Sequence, residues 1–140
     1  MRISARCDYG CRALLGLSLH WPSKKPLQIH TISERHNIPI KYLVQIMIQL
    51  KRVGLVDSVR GKRGGYILTR SPDEISLGEV VREIGGALLP LAPTVAKKDS
   101  VFATIWEETE RSIADVLDKV TFGDIASRAK AKEGTISYQI

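Results

Sequence analysis

A mainly α-helical fold with one small β-hairpin is what this 140-residue sequence predicts. Three observations carry the prediction. Two short amphipathic segments, near 28–36 and from Pro39 to about residue 52, are separated by a tight break at Asn37. Two β-type runs, 55–59 and 66–69, follow at once and enclose a glycine-rich connection. Farther on, apolar residues recur every three or four positions across about 100–119. Two short helices joined by a turn and followed by a hairpin describe a winged helix-turn-helix. The long stripe adds a helix with more apolar face than a small domain can cover, so it is predicted to be a dimerisation helix.

The first helix is expected over 8–21, where Tyr9, Ala13, Leu14 and Leu17 share a face and Pro22 stops the pattern. The second turns Ile29 and Ile32 inward. Pro39 opens the third, because a missing N–H is harmless in a first turn. Its expected core set is Ile40, Leu43, Met47 and Leu50, and Gly54 stands where a glycine ends a helix. On its other side lie Lys41, Tyr42, Gln45, Gln49 and Arg52, polar side chains that can reach base edges or phosphates.

Pro72 and Asp73 make a turn, and Ser76-Leu77-Gly78-Glu79 has the capping-box pattern that opens a fourth helix, closed by Gly85 and Gly86. Residues 87–98 contain two prolines without a period and read as a linker or ordered loop. Asp99 or Ser100 can cap the long helix. Its stripe includes Phe102, Ile105, Trp106, Ile113, Val116 and Leu117, and packing within one chain is the alternative to a partner subunit. Thr121 caps a last helix near 122–132. The expected organisation is a winged helix-turn-helix domain at 1–84, a linker at 85–99, dimerisation helices at 100–132 and a tail at 133–140.

Charge is divided unevenly. Residues 1–75 carry 13 Lys and Arg against 5 Asp and Glu, whereas residues 76–140 carry 8 against 10. A basic half suggests a polyanion, nucleic acid above all; a merely basic surface is the alternative. No apolar run reaches the roughly 20 residues of a membrane span, and Met1-Arg2-Ile3-Ser4 starts no export signal. A cytoplasmic protein, on the bacterial nucleoid, is expected.

The stretch Arg60-Gly-Lys-Arg-Gly-Gly-Tyr66 invites a nucleotide-binding reading, which its order excludes. A P-loop places Gly-Lys-Ser/Thr at its end and leads into a helix. Here Lys62 follows the first glycine, no hydroxyl residue follows it, and β-type runs lie on both sides. No enzyme activity is expected. The two cysteines, Cys7 and Cys11, are four apart and fall on one helical face. A closed zinc site needs four ligands, so small buried hydrophobes are the better reading of the pair.

The segment "ISERHNIPIKYLVQIMIQLKRVGLVDSVRGKRGGYIL" at 32–68, the opening "MRISARCDYGCRALLGL", "ISLGEVVREIGG" at 75–86 and "VTFGDIA" at 120–126 occur in order at matching spacing. Together they resemble the Rrf2 family of bacterial transcription regulators over essentially the whole chain. The resemblance implies a homodimer joined through the long helix, two winged-helix heads on one DNA site, Tyr42 and Gln45 on the recognition helix, and Arg60 on a wing that enters the minor groove. Many members hold an iron–sulfur cluster on three cysteines between the fourth and the long helix. Residues 85–101 here contain none, so no standard cluster, and no other cofactor, is expected. Cys7 and Cys11 remain as a substitute redox pair. The ending Tyr138-Gln139-Ile140 is similar to the C-terminal isoleucine by which serine acetyltransferases dock into cysteine synthase, and cluster-free members that regulate cysteine metabolism have comparable tails.

The sequence therefore predicts a sequence-specific DNA-binding regulator, a repressor acting as a homodimer on a pseudo-palindromic operator. Lys41, Tyr42, Gln45 and Gln49 are assigned to the major groove. Arg60, Lys62 and Arg63 are assigned to the wing contact, and Arg6 and Arg12 to flanking phosphates. The alternatives are a redox-responsive regulator using Cys7 and Cys11, or a co-repressor whose tail, through Tyr138 and Ile140, docks into cysteine synthase.

Overall fold

The computed structural model describes residues 2–90 and 100–139. Helix α1 spans Ala5–His20 and starts before the expected residue 8, because the Ser4 hydroxyl accepts the Cys7 N–H at 3.1 Å and caps it. Helices α2 (Ile29–His36) and α3 (Ile40–Arg52) follow, with Asn37 in the left-handed region at φ 53° making the turn between them. Leu14 and Leu17 of α1, Ile32 of α2, and Leu43, Ile46, Met47 and Leu50 of α3 meet in one buried core.

The inward face of α3 is not quite the expected one. Ile40 is 41% exposed, and Ile46 takes its place inside. Residues 43, 46, 47 and 50 form one narrow stripe at 3.6 residues per turn, and Ile40 lies on its flank. The spacing alone admitted both; packing against α1 and α2 fixed the centre of the stripe.

Strands β1 (Val56–Val59) and β2 (Gly65–Leu68) pair antiparallel, with Val56 opposite Leu68 and Val59 opposite Gly65. The loop before α2 joins this hairpin. Leu27 N–H donates to the Tyr66 carbonyl at 3.0 Å, and Tyr66 N–H donates back at 2.8 Å. The wing is thereby tied to the start of the helix-turn-helix.

A 3-10 turn at Pro72–Glu74 leads into α4 (Leu77–Gly85), capped by the Ser76 hydroxyl, which accepts the Glu79 N–H at 3.0 Å. The Glu79 carboxylate does not close the expected box; it is held by Arg70. Helix α5 (Val101–Lys119) starts at a Ser100 cap. Helix α6 (Phe122–Gln139) starts with Thr121 and Asp124 capping one another, each through one hydrogen bond of 3.0 Å.

The entry to α6 returns to the head. Leu77 N–H donates to the Val120 carbonyl at 2.7 Å, and Phe122 N–H to the Ile75 carbonyl at 2.9 Å. Phe122 is fully buried in the main core, and α6 then packs along α1. It continues past residue 132 to Gln139, and no proline interrupts 133–139. Ile140 and residues 91–99 of the expected linker lie outside the described residues, as do the side chains beyond residue 134. A second, smaller cluster of Cys7, Val81 and Leu88 with Ile113, Ala114 and Leu117 joins α1, α4 and α5. Arg82 of α4 and Asp118 of α5 reinforce that junction with two hydrogen bonds of 2.8 Å.

Candidate nucleic-acid interface

Helix α3 buries one side and leaves Lys41, Tyr42, Val44, Gln45 and Ile48 exposed on the other. The leading polar residues are held in place by α1. The Tyr42 ring stacks on Tyr9, with centroids 5.9 Å apart and planes at 28°. Lys41 Nζ lies 5.1 Å from the Tyr42 ring, and the Arg12 guanidinium 5.9 Å from the Tyr9 ring. Each ring of the stacked pair thus has one cation near it, a favourable arrangement for π systems. Arg12 is further engaged by Asp8 at 2.8 Å and donates to the His36 carbonyl at 3.4 Å.

Gln49 has a different setting from Gln45. Its amide oxygen accepts from Arg6 Nη2 at 2.7 Å, and its amide nitrogen donates to the Glu83 carbonyl at 2.7 Å. Both ends of the amide are used, and together they tie α3 to α1 and α4. Gln49 and Arg6 therefore sit in an inter-helix seam, whereas Gln45 presents a free-standing side chain on the exposed face. Lys51 likewise turns to the wing, donating to the Ser58 hydroxyl at 2.6 Å.

The wing tip exposes Arg60, Lys62 and Arg63. Gln28, just ahead of α2, donates to the Lys62 carbonyl at 3.2 Å and braces the tip. Glycine is required at three points of the loop; a Cβ on Gly64 would collide with the Val59 carbonyl. Gly61 has φ +112°, and Gly65 has φ +155° with a Cβ position that would collide with the Leu27 carbonyl. Between wing and α2 lies a groove of about 500 Å³ lined by Lys25, Leu27, Gln28, Thr31, Arg35 and Arg63. Lys25 and Arg35 were not singled out from the sequence. They are separated from the wing by more than twenty positions, and the Leu27–Tyr66 bridge and the Gln28–Lys62 hydrogen bond bring them beside Arg63.

Cys7 and Cys11 form no part of this face. Both are free thiols, Cys7 buried and Cys11 half-buried. Burial raises the pKa of Cys7 above its ordinary value, and burial together with the neighbouring Cys7 pushes Cys11 up to about 12. Reactive thiolates need the reverse, an exposed and electropositive setting. Helix α5 exposes Val101, Phe102, Ile105, Trp106 and Val116, and Phe102 is 64% open to solvent. Backbone positions through Gln139 place Tyr138 in the last turn of α6.

Comparison with known proteins gives a consistent picture. The sequence matches the Rrf2 family, described as iron-dependent transcriptional regulators, over residues 3–128. It is 30% identical to the HTH-type transcriptional regulator CymR of Bacillus subtilis, covering all of both chains. It is 32% identical to the HTH-type transcriptional regulator IscR of Vibrio vulnificus, over 91% of this chain and 78% of that protein. In structure it is similar to CymR, the global cysteine regulator of B. subtilis, with a TM-score of 0.79 over 91% of this chain and 98% of that one. The described residues do not fit an iron centre. The sequence has two cysteines, both on α1, and no group of three or more His, Cys, Asp or Glu side chains among the described residues is placed to hold a metal. No helix of the described residues is long and apolar enough to cross a membrane.

Proposed function

Because the chain belongs to the Rrf2 family of transcriptional regulators, which are not enzymes, we propose that it binds DNA sequence-specifically as a homodimer and acts as a repressor on a pseudo-palindromic operator. The observation that carries this reading is the shared exposure of the α3 face and the basic wing tip on a head whose other long helix, α5, shows an uncovered apolar face. Lys41, Tyr42 and Gln45 enter the major groove, where a glutamine can pair with the N6/N7 edge of adenine. Arg60 reaches the minor groove, while Lys62, Arg63 and the groove residues Lys25 and Arg35 meet phosphates. The α5 faces of two chains cover one another and set the half-sites one or more turns of about 34–36 Å apart. The protein works on the nucleoid, without an iron–sulfur cluster.

The test compares the purified chain on a duplex selected from random-sequence DNA with its binding to unselected duplex at physiological salt, with mass measured by light scattering. Tight, selective binding by a dimer is expected. Equal affinity for both duplexes overturns the reading.

A second reading is favoured by the likeness to a global cysteine regulator and by the tail. In it, Tyr138 and Ile140 dock into cysteine synthase, and the complex is the form that represses. Capture of cysteine synthase by the full chain, and its loss on removal of residues 137–140, is the expected result; equal recovery by both chains sinks it.

A further inference from the structure

The outward side of α3 is not wholly polar. Val44 is 39% exposed and Ile48 45% exposed, and with Ile40 they recur every fourth residue along the helix. At 100° per residue Val44 and Ile48 lie between the buried Met47 and the exposed Lys41, Gln45 and Arg52, with Ile40 at the margin of the buried stripe. Isolated surface hydrophobes need no explanation. Val44 and Ile48, one turn apart on the outward side of α3 and beside the exposed Lys41, Gln45 and Arg52, do.

We propose that Val44 and Ile48 are specificity-determining residues that read the C5-methyl groups of thymines in the major groove. The inference rests on the regulator reading above. Double-stranded DNA is the occupant that fits. The surround is cationic, with Lys41, Arg52, Arg60, Lys62 and Arg63 exposed, and the thymine methyl is the apolar feature that the major groove offers. Gln45 points the same way. Its amide, one position from Val44, suits the N6/N7 edge of adenine, the base paired with thymine. Polar and apolar readout on adjacent positions thus converge on A·T pairs in each half-site. A G·C pair offers the stripe no methyl group and offers Gln45 a pattern of acceptors that suits arginine or lysine better.

The decisive experiment removes only the methyl groups. The full chain is used to select a duplex from random-sequence DNA, and the same duplex is then made with deoxyuridine at each thymidine of the half-sites. Affinity is expected to fall about fourfold for each contacted methyl lost, the effect of one buried CH₂-sized group. The Val44→Ser/Ile48→Ser double variant, its fold checked by thermal melting, should bind the thymine duplex more weakly and lose the difference between the two duplexes. Lys62→Ala should weaken both duplexes alike and keep their ratio. Equal affinity of the native chain for the two duplexes overturns the proposal, as does a double variant that still tells them apart, since the difference would then come from DNA shape. Failure of the selection to enrich any sequence would count against the regulator reading instead.

Discussion

The Tyr42 ring in the first turn of α3 lies stacked on Tyr9 of α1, centroids 5.9 Å apart, with Lys41 near the one ring and Arg12 near the other. Tyr9 has no predicted contact with DNA, yet it sets where Tyr42 and Lys41 stand. Tyr9→Ala should weaken DNA binding about two- to tenfold, the range expected from losing one aromatic pair of about 0.5–1.5 kcal/mol. Tyr9→Phe keeps the ring and should bind as the native chain does. Equal binding by all three proteins would remove the stack from recognition.

The two glutamines of α3 should separate cleanly. Gln49→Ala breaks the bonds to Arg6 and Glu83 and should lower stability by about 1 kcal/mol with base preference intact. Gln45→Ala should leave stability within about 0.5 kcal/mol and relax preference at one base pair by about 1–3 kcal/mol. Urea unfolding and binding to single-position operator variants report the two quantities. Interchanged outcomes would show that the seam and the reading face have been assigned the wrong way round.

Gly65→Ala is expected to cost about 1–3 kcal/mol, the usual range for a non-glycine residue forced into such backbone. The added Cβ would also push the wing off Leu27. Faster amide exchange at Tyr66, whose N–H donates to Leu27, would report the parted strands, with a parallel loss of DNA affinity.

Alkaline pH should loosen the junction of α1, α4 and α5. Both thiols have folded-state pKa values raised above 9.0, that of Cys11 to about 12. The unfolded chain therefore binds fewer protons between those values, and stability falls as pH rises above about 9. Cys11→Ala should flatten the fall in the melting temperature measured from about pH 8 upward. At neutral pH a thiol reagent should label the native chain far more slowly than the unfolded one.

On α5, Phe102→Glu places a charge in the uncovered apolar face. Sedimentation should show the chain passing from dimer to monomer. The slope of log affinity against log salt should drop to about half, because one head contacts half the phosphates. A monomer with an unchanged slope would argue that the two heads do not engage DNA together.

Local patterns were legible wherever they were self-contained. Asn37 and Gly54 were visible as breaks because the left-handed backbone at such positions restricts the choice of residue. The wing was visible because its glycines and basic residues are contiguous. The Ser4 cap was missed although its hydroxyl lies three residues ahead of the N–H that it accepts; the signal was there, in a serine just before the apolar pattern. Ile40 and Ile46 exchanged roles because a 3.6-residue period fixes a stripe only to within a neighbouring position.

The sequence by itself determined the order of helices and hairpin, the basic character of the first half, the family resemblance and the lack of cysteines for a cluster of the usual kind. Each depends on residue type and short spacing. Tertiary structure alone decided which polar residues of α3 are free. Gln45 and Gln49 are chemically identical and both lie away from the core, but Arg6 and the Glu83 carbonyl converge on the second and leave the first open. It also placed Lys25 and Arg35 beside Arg63, stacked Tyr9 on Tyr42, and returned Phe122 to the core of the head. These relations join residues distant along the chain, and the free energy that holds them comes from contacts that exist only once the helices have packed.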